Sequence, residues 1–212
     1  MDVLYLVRHG ETEWNRQRRL QGRMDSRLTE QGREHARRNG ELLAREAVEH
    51  LWVSPLGRTR ETAALILAQC KVPATYDDRL MERHCGAWEG LTIDEIVAQF
   101  PQQWAERSLD PFHHRPPAGE NLPDMLARVA PLAERLGELP QRKVAIVSHG
   151  IMGRVLLAHF LGLSPAEADR VRQPNDLVYR LDFSGDAVIG DHFRAGEGPH
   201  TGLFMVAPDQ VG

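Results

Sequence analysis

The feature that most constrains the fold is an apolar run near the start of the chain that ends in an arginine, a histidine and a glycine. Residues 4–7 read Leu-Tyr-Leu-Val, and Arg8, His9 and Gly10 follow directly. Four apolar residues rich in strand formers predict a buried strand, which places Arg8 and His9 at its carboxyl edge. Ligands of open α/β sheets bind at this edge. The pattern therefore predicts an α/β fold with a polar site where the first strand ends.

The pairing of Arg8 with His9 also indicates a chemistry. A histidine beside a fixed positive charge is expected to be neutral near pH 7, because its protonation would place two cations together. A neutral imidazole is a nucleophile, and an arginine binds phosphate through two parallel hydrogen bonds. His9 is therefore a candidate nucleophile for phosphoryl transfer.

Phosphoryl transfer from such a nucleophile also needs a second arginine, another histidine and a proton donor, and three later positions provide candidates. Arg58 begins a predicted helix after a second strand, Glu82 lies just beyond a third, and His149 follows the most regular strand of the chain. Phosphoryl transfer depends on positioning and on neutralising the equatorial oxygens, so these residues would complete a site. From the residues alone, Glu11 and Glu89 are rivals to Glu82 as the proton donor.

The position of Arg58 at a helix start is unusual, because the helix dipole disfavours a cation there. The placement is reasonable if a phosphoryl dianion lies between the guanidinium and the helix N-terminus. We therefore expect a bound anion at the start of the helix that begins at Gly57.

The ordered set of motifs resembles the histidine phosphatase superfamily, which includes the cofactor-dependent phosphoglycerate mutases. The resemblance extends over nearly the whole chain. Its motifs are Arg8-His9-Gly10, Gln21-Gly22, Leu28-Thr29, Ser54-Pro55, Arg58, Glu61-Thr62-Ala63, Glu82 and Ser148-His149-Gly150.

The resemblance implies a role for each site residue. His9 would become a phosphohistidine, while Arg8, Arg58 and His149 would hold the phosphoryl oxygens. Glu82 would protonate the leaving oxygen and then help to activate water. The remaining implied substrate-binding residues are Asn15, Gln21, Gly22 and Gly150.

The alternation of predicted strands and helices indicates a three-layer α/β/α sandwich of the phosphoglycerate mutase-like type. We expect a mostly parallel central sheet with an antiparallel edge. The pattern predicts a single domain over residues 1–212, with residues 83–119 as a lobe over the active site. The predicted closing strands are 177–183, 187–193 and 203–206, and the predicted helix starts follow Thr29, Leu56, Thr92 and Asn121.

Composition excludes several classes of protein. The net charge of −4 argues against nucleic-acid binding, which needs a basic face. No apolar run approaches the ~18 residues of a membrane span, and no signal peptide precedes the first strand. With only two cysteines, the chain is expected to be cytoplasmic with both thiols reduced. A homodimer is one assembly that the sequence allows.

Neither a metal nor a cofactor is expected. The ten histidines show no His-Glu-x-x-His spacing and no Cys/His cluster, and glycine-rich nucleotide motifs are absent. A local basic cluster is equally compatible with the rim of an anion pocket and with a solvated loop. Its members are Arg16, Arg18, Arg19 and Arg23.

Together these observations predict a metal-independent phosphomonoesterase that hydrolyses small phosphorylated metabolites. A phosphoglycerate mutase and a non-catalytic phosphoryl-binding module are the alternatives, and the physiological substrate stays open. A mutase needs fixed cations beyond Arg8 and Arg58 for the carboxylate of its substrate. We expect three candidate cations at the pocket mouth, namely Arg83, Arg107 and Arg115. We also expect an apolar wall there that includes Trp88 and Phe112.

Overall fold

Seven strands form one sheet in the computed structural model, which describes residues 1–207. The strands are β1 (Val3–Arg8), β2 (His50–Val53), β3 (Ala74–Tyr76), β4 (Lys143–Ser148), β5 (Leu177–Asp182), β6 (Ile189–Arg194) and β7 (Glu197–Thr201). The helices are α1 (Glu13–Arg16), α2 (Glu30–Arg45), α3 (Gly57–Cys70), α4 (Ile93–Gln99), α5 (Pro101–Leu109), α6 (Leu122–Gly137), α7 (Gly150–Leu161) and α8 (Pro165–Arg170).

The strand order in the sheet is β3-β2-β4-β1-β5-β6-β7. The four strands from β3 to β1 are parallel, and β5, β6 and β7 extend them as an antiparallel edge. The register between β1 and β4 sets Arg8 opposite Ser148. His9 and His149 therefore leave neighbouring strands side by side at the same edge of the sheet.

Alternation along the strands divides the core into two layers. Leu4 and Leu6 of β1 pack with buried residues of α6 and α7. Tyr5 and Val7 point to the other face, where they join the cluster that α2 and α3 complete. Because apolar side chains cover both faces, the central strands are buried throughout, and the predicted three-layer α/β/α sandwich is confirmed.

The predicted helix starts are also observed. Thr29 accepts a hydrogen bond from the Gly32 N–H at the start of α2, and Thr92 and Asn121 form capping boxes at α4 and α6. Each such cap contributes about 1 kcal/mol to helix stability. Helix α3 also begins where predicted, at Gly57, but the preceding residue Leu56 provides no side-chain cap.

One predicted strand was wrong, and one strand and helices α5 and α8 were missed. The last predicted strand, 203–206, is not one, because its backbone bonds outside the sheet: the Phe204 carbonyl accepts from the Arg172 N–H. Strand β7 takes the edge position instead. Helices α5 and α8 were not predicted, and each begins with a proline at its first turn, where the missing N–H costs nothing.

The segment 83–119 contains α4, α5 and a short 3₁₀ helix at Gly86–Trp88. It has a small apolar cluster of its own, centred on Cys85, Trp88 and Ile96, and Leu20 packs against this cluster. The predicted domain covers residues 1–212, and its last five residues, 208–212, lie outside the described residues. No helix between residues 1 and 207 is both long and apolar enough to cross a membrane.

Candidate active site

A polar pocket of about 270 Å³ opens at the carboxyl ends of β1 and β4. Eight of the nine residues predicted for the site line it, and the ninth, His149, is buried beside His9. The lining residues are Arg8, His9, Asn15, Arg18, Arg19, Leu20, Gln21, Gly22, Arg58, Glu82, Cys85, Gly150, Ile151, Arg154, Val171, Arg172 and Gln173.

His9 is held in one tautomer by its own backbone neighbour. Its Nδ1 lies 2.8 Å from the Gly10 carbonyl oxygen, which can only accept, so Nδ1 carries the hydrogen of the neutral ring. The lone pair is then on Nε2. Burial lowers the pKa of His9 well below its usual value of 6.5, and Arg58 and then Arg8 lower it further. The ring is therefore neutral at pH 7 with Nε2 available as a nucleophile.

His149 is fully buried, and its ring centroid lies 5.4 Å from that of His9. Its Nε2 is 2.7 Å from the Ser54 hydroxyl oxygen. When this hydroxyl donates, Nδ1 becomes the N–H donor of the neutral ring, and Nδ1 has no partner among residues 1–207. Burial, followed by Arg58 and His9, lowers the pKa of His149 well below 6.5. His149 can therefore act as a neutral donor.

The guanidinium of Arg58 is fixed by three acceptors. Nη1 donates to the Met24 carbonyl at 2.7 Å and to Asp25 Oδ1 at 2.9 Å, and Nη2 donates to the Gly22 carbonyl at 2.8 Å. The Nε–H is buried and has no partner in the described part of the chain. Arg58 is thus positioned in advance and keeps a free donor for a ligand.

The expectation of a bound anion at the start of α3 was wrong. Asp25 occupies that position, because its carboxylate accepts from the N–H groups of Gly57 and Arg58 at 2.7 and 3.1 Å. A carboxylate at the helix N-terminus offsets the unfavourable placement of the arginine. Asp25 carried no signal in the sequence, since it is more than thirty positions from Arg58 and belongs to no motif.

Arg8 lies against the start of α7. Its Nη1 donates to the Gln173 carbonyl at 2.9 Å, and its buried Nε has no partner among residues 1–207. A Cβ at position 150 would lie only 3.3 Å from Arg8 Cζ, so glycine allows the guanidinium to pack this closely. Arg8 and Arg58 both line the pocket, and each has a buried Nε–H without a partner among residues 1–207.

Glu82 is anchored by backbone donors. Its Oε1 accepts from the N–H groups of Arg83 and Met152 at 2.8 and 3.1 Å, and its Oε2 accepts from Ile151 at 3.1 Å. The rival carboxylates Glu11 and Glu89 do not line the pocket. Of the three candidates, only Glu82 is in position to exchange a proton with a ligand there.

Asn15, Gln21 and Gly22 form one wall. Asn15 Oδ1 accepts from Thr12, which leaves its amide N–H groups for a ligand. Gly22 adopts a left-handed conformation (φ 52°), and a Cβ there would collide with the Glu89 carboxylate at 2.1 Å. Glycine suits both this backbone conformation and the close approach of Glu89 at the turn, whose carbonyl holds Arg58.

The pocket mouth differs from the predicted one. Arg83 is buried and donates to the carbonyls of Glu120 and His114, while Arg115 pairs with Asp124 at 2.7 Å. None of the five predicted mouth residues appears in the lining, because Trp88 packs in the cluster of segment 83–119 and Arg107 stacks on Trp104. The additional cations that line the pocket are instead Arg154 and Arg172, which were not predicted, together with Arg18 and Arg19 of the basic cluster.

A signal for Arg154 did exist. It is four residues after Gly150, which places both on the same face of α7. Arg172 had none, since it lies in an irregular segment. Of the basic cluster, Arg18 and Arg19 line the pocket, and Arg16 and Arg23 do not. Arg19 is neutralised by Glu95 at 2.7 Å.

The unpartnered groups define what the pocket can bind. A buried guanidinium N–H without an acceptor is costly, and here two of them accompany the His149 Nδ1. A tetrahedral oxyanion bound beside His9 would have enough lone pairs to accept from all three. The residues described, 1–207, contain no group of three or more His, Cys, Asp or Glu placed to hold a metal ion.

Comparisons with known proteins agree with this geometry. The sequence profile described as "Histidine phosphatase superfamily (branch 1)" matches residues 4–193. A curated relative named "Probable phosphoglycerate mutase GpmB", from Serratia proteamaculans (strain 568), is 39% identical over 181 residues, 84% of each chain.

Two solved structures share the fold. The alpha-ribazole phosphatase from Shigella flexneri matches with a TM-score of 0.81 at 26% identity, covering 88% of this chain and 93% of that one. A mycobacterial glucosyl-3-phosphoglycerate phosphatase, in complex with VO₃, matches with a TM-score of 0.80 at 29% identity, covering 92% and 100%.

Proposed function

Because the chain belongs to the histidine phosphatase superfamily, we propose that it is a metal-independent phosphomonoesterase with a phosphohistidine intermediate on His9. The substrates are small phosphorylated metabolites. The observation that carries the proposal is the hydrogen bond from His9 Nδ1 to the Gly10 carbonyl at 2.8 Å, because it leaves Nε2 unprotonated among fixed cations.

In the first step, His9 Nε2 attacks phosphorus while the bond to the leaving oxygen breaks. Protonated Glu82 gives its proton to that oxygen, and the free alcohol departs. The Nε–H groups of Arg8 and Arg58 and the Nδ1–H of His149 neutralise the equatorial oxygens as charge spreads onto them. Since both arginines are held before substrate arrives, little reorganisation is needed.

In the second step, the Glu82 carboxylate accepts a proton from water as the water oxygen bonds to phosphorus. The phosphorus–nitrogen bond breaks, which returns His9 to its neutral form and Glu82 to its protonated form. The product is inorganic phosphate. The backbone N–H groups of Arg83, Ile151 and Met152 hold the carboxyl group in place for both proton transfers.

Phosphoglycerate mutase is the second candidate. Two observations favour it: the relatives named for that activity, and the additional cations Arg154 and Arg172 at the mouth. A mutase returns the phosphoryl group to the substrate, so it must keep water from the phosphohistidine. The pocket opens to solvent beside Arg18, which favours hydrolysis.

The remaining parts of the proposal concern the protein's setting. We infer a single catalytic domain with segment 83–119 as its lobe, a cytoplasmic location and no resident cofactor. A homodimer is compatible with this proposal and is not needed for the chemistry, since all groups invoked come from one chain.

A panel of phosphorylated metabolites, assayed beside phosphoglycerate isomerisation, tests the proposal. We expect phosphate release from several phosphomonoesters without added bisphosphoglycerate, activity that persists in EDTA, and isomerisation at a small fraction of the hydrolytic rate. His9→Ala is the control and should release no phosphate. Fast isomerisation that depends on bisphosphoglycerate would favour the mutase, and binding without either reaction would favour a non-catalytic module.

A further inference from the structure

The proposed phosphoryl chemistry leaves two arginines at the pocket mouth unused. Arg154 projects from the second turn of α7, and Arg172 precedes Gln173, whose carbonyl accepts from Arg8. Both line the pocket that contains His9. Arg154 also borders a narrow apolar crevice that includes Phe112, so it lies between the pocket and this crevice.

Asp169 holds both side chains in place. Its Oδ1 is 3.2 Å from Arg154 Nη1, and its carbonyl accepts from Arg172 Nη1. A second carbonyl, that of Val171, also accepts from Arg172 Nη1 at 3.1 Å. These contacts all use Nη1, so the Nε and Nη2 edges of both guanidinium groups have no partner among residues 1–207. Such an edge is the part of arginine that binds an oxyanion through two parallel hydrogen bonds.

The pocket has far more positive than negative side chains. Among residues 1–207, six arginines line the pocket, and Glu82 is the only carboxylate that does so. Glu82 and a bound phosphoryl dianion would account for Arg8 and Arg58. Arg154 shares Asp169, whereas Arg172 contacts only carbonyl oxygens. Burial lowers the pKa of Arg154, and Arg172 opposes its charge further, in spite of Asp169. An anionic ligand at this position would relieve that repulsion.

We propose that Arg154 and Arg172 form a second anion subsite, which selects phosphomonoesters whose alcohol part carries another oxyanion, a carboxylate or a second phosphate. The inference rests on the proposed function in one respect: the scissile phosphate occupies Arg8 and Arg58. A pocket of about 270 Å³ is of the size that suits a small metabolite. The subsite would distinguish this chain from a phosphatase that recognises the phosphoryl group alone.

Binding to the His9→Ala protein tests the subsite without turnover. The ligands are two matched pairs: 3-phosphoglycerate with glycerol 3-phosphate, and propane-1,3-diol bisphosphate with its monophosphate. Isothermal titration calorimetry should give a Kd at least tenfold lower for the member with the second anion, because charge-assisted hydrogen bonds are among the stronger ones. The pair with the larger ratio identifies the preferred oxyanion.

Substitutions then assign the preference to its residues. In the His9→Ala background, Arg154→Gln and Arg172→Gln should each reduce the tenfold preference to threefold or less, and Arg154→Lys should restore part of it. The matched control is Arg115→Gln, which removes an arginine paired with Asp124 outside the pocket and should leave the ratio unchanged. Thermal unfolding of each variant separates loss of binding from loss of fold.

A second measurement uses the native enzyme. Each ligand is tested as an inhibitor of p-nitrophenyl phosphate hydrolysis, and the ratios of inhibition constants should follow the ratios of Kd. Equal affinities within both pairs, or a preference that survives both glutamine variants, would overturn the subsite. If the protein binds the anionic ligands tightly but releases no phosphate from any ester, the proposed function fails and the subsite stands.

Discussion

The floor of the pocket and its mouth are both rich in arginine, but they are built differently. The floor consists of Arg8, His9, Arg58 and His149, which lie at the ends of strands or in the first turn of a helix. His9 and Arg58 are only 3% and 2% exposed. The mouth, Arg154 and Arg172, comes from the second turn of α7 and an irregular segment, and both side chains are partly exposed.

We infer from this difference that the floor carries out catalysis and that the mouth selects among substrates. At the floor, burial lowers the pKa of both histidines, and the weakly screened charges of Arg58 and Arg8 lower it further, so both rings are neutral. The partly exposed cations at the mouth are screened more by water, so their main action on a ligand is through direct contact. Changes at the floor should therefore affect every substrate, and changes at the mouth should affect the choice among substrates.

The largest effect is expected for Arg58→Ala. Its guanidinium is fixed by Met24, Asp25 and Gly22 before the ligand arrives, so the variant loses a preorganised donor and charge. We expect kcat/KM to fall on the order of 10²-fold or more, equally for neutral and anionic phosphomonoesters. A loss confined to anionic substrates would mean that floor and mouth are not distinct.

Glu82→Gln should show a smaller and substrate-dependent effect. The rate for alkyl phosphates should fall by roughly 10²-fold, because an alkoxide leaving group needs a proton. The rate of p-nitrophenyl phosphate hydrolysis should change severalfold at most, since its phenolate leaves without one. Steady-state kinetics with both substrates provides the comparison, and equal losses would remove Glu82 from the role of acid.

The smallest predicted effect concerns stability. Because burial lowers the pKa of His9 below 6.5, the unfolded chain binds a proton below that pH while the folded chain does not. The free energy of unfolding therefore decreases as pH falls through 6.5, by about 1.4 kcal/mol per pH unit for this residue. Urea unfolding at pH 7.5, 6 and 5 should show a shallower decrease for His9→Gln. Identical slopes would indicate that His9 is protonated in the folded state.

The floor could be predicted from sequence because each member follows a recognisable element. Arg8 and His149 border β1 and β4, and parallel strands bring their carboxyl ends together whatever the rest of the chain does. Asp25 and Arg172 could not be predicted in this way. Their positions depend on how loops fold back over the sheet, which neither periodicity nor spacing encodes.

The fold shows the same division. The apolar alternation of β1 and the caps Thr29, Thr92 and Asn121 determine the central layers, and these were predicted. Helix α5 and strand β7 were missed, because proline at a helix start resembles a loop signal and the exposed residues of β7 show no alternation. Elements with little apolar burial leave little pattern to read.

The most direct test of the account is to trap the covalent intermediate. Rapid acid-free quenching of the enzyme with ³²P-labelled substrate should give a phosphoenzyme that is stable in base and labile in acid, with the label on His9. His9→Ala should form none. Label on His149, on a serine or on an aspartate, or turnover without any phosphoenzyme, would contradict the assignment of His9 as the nucleophile.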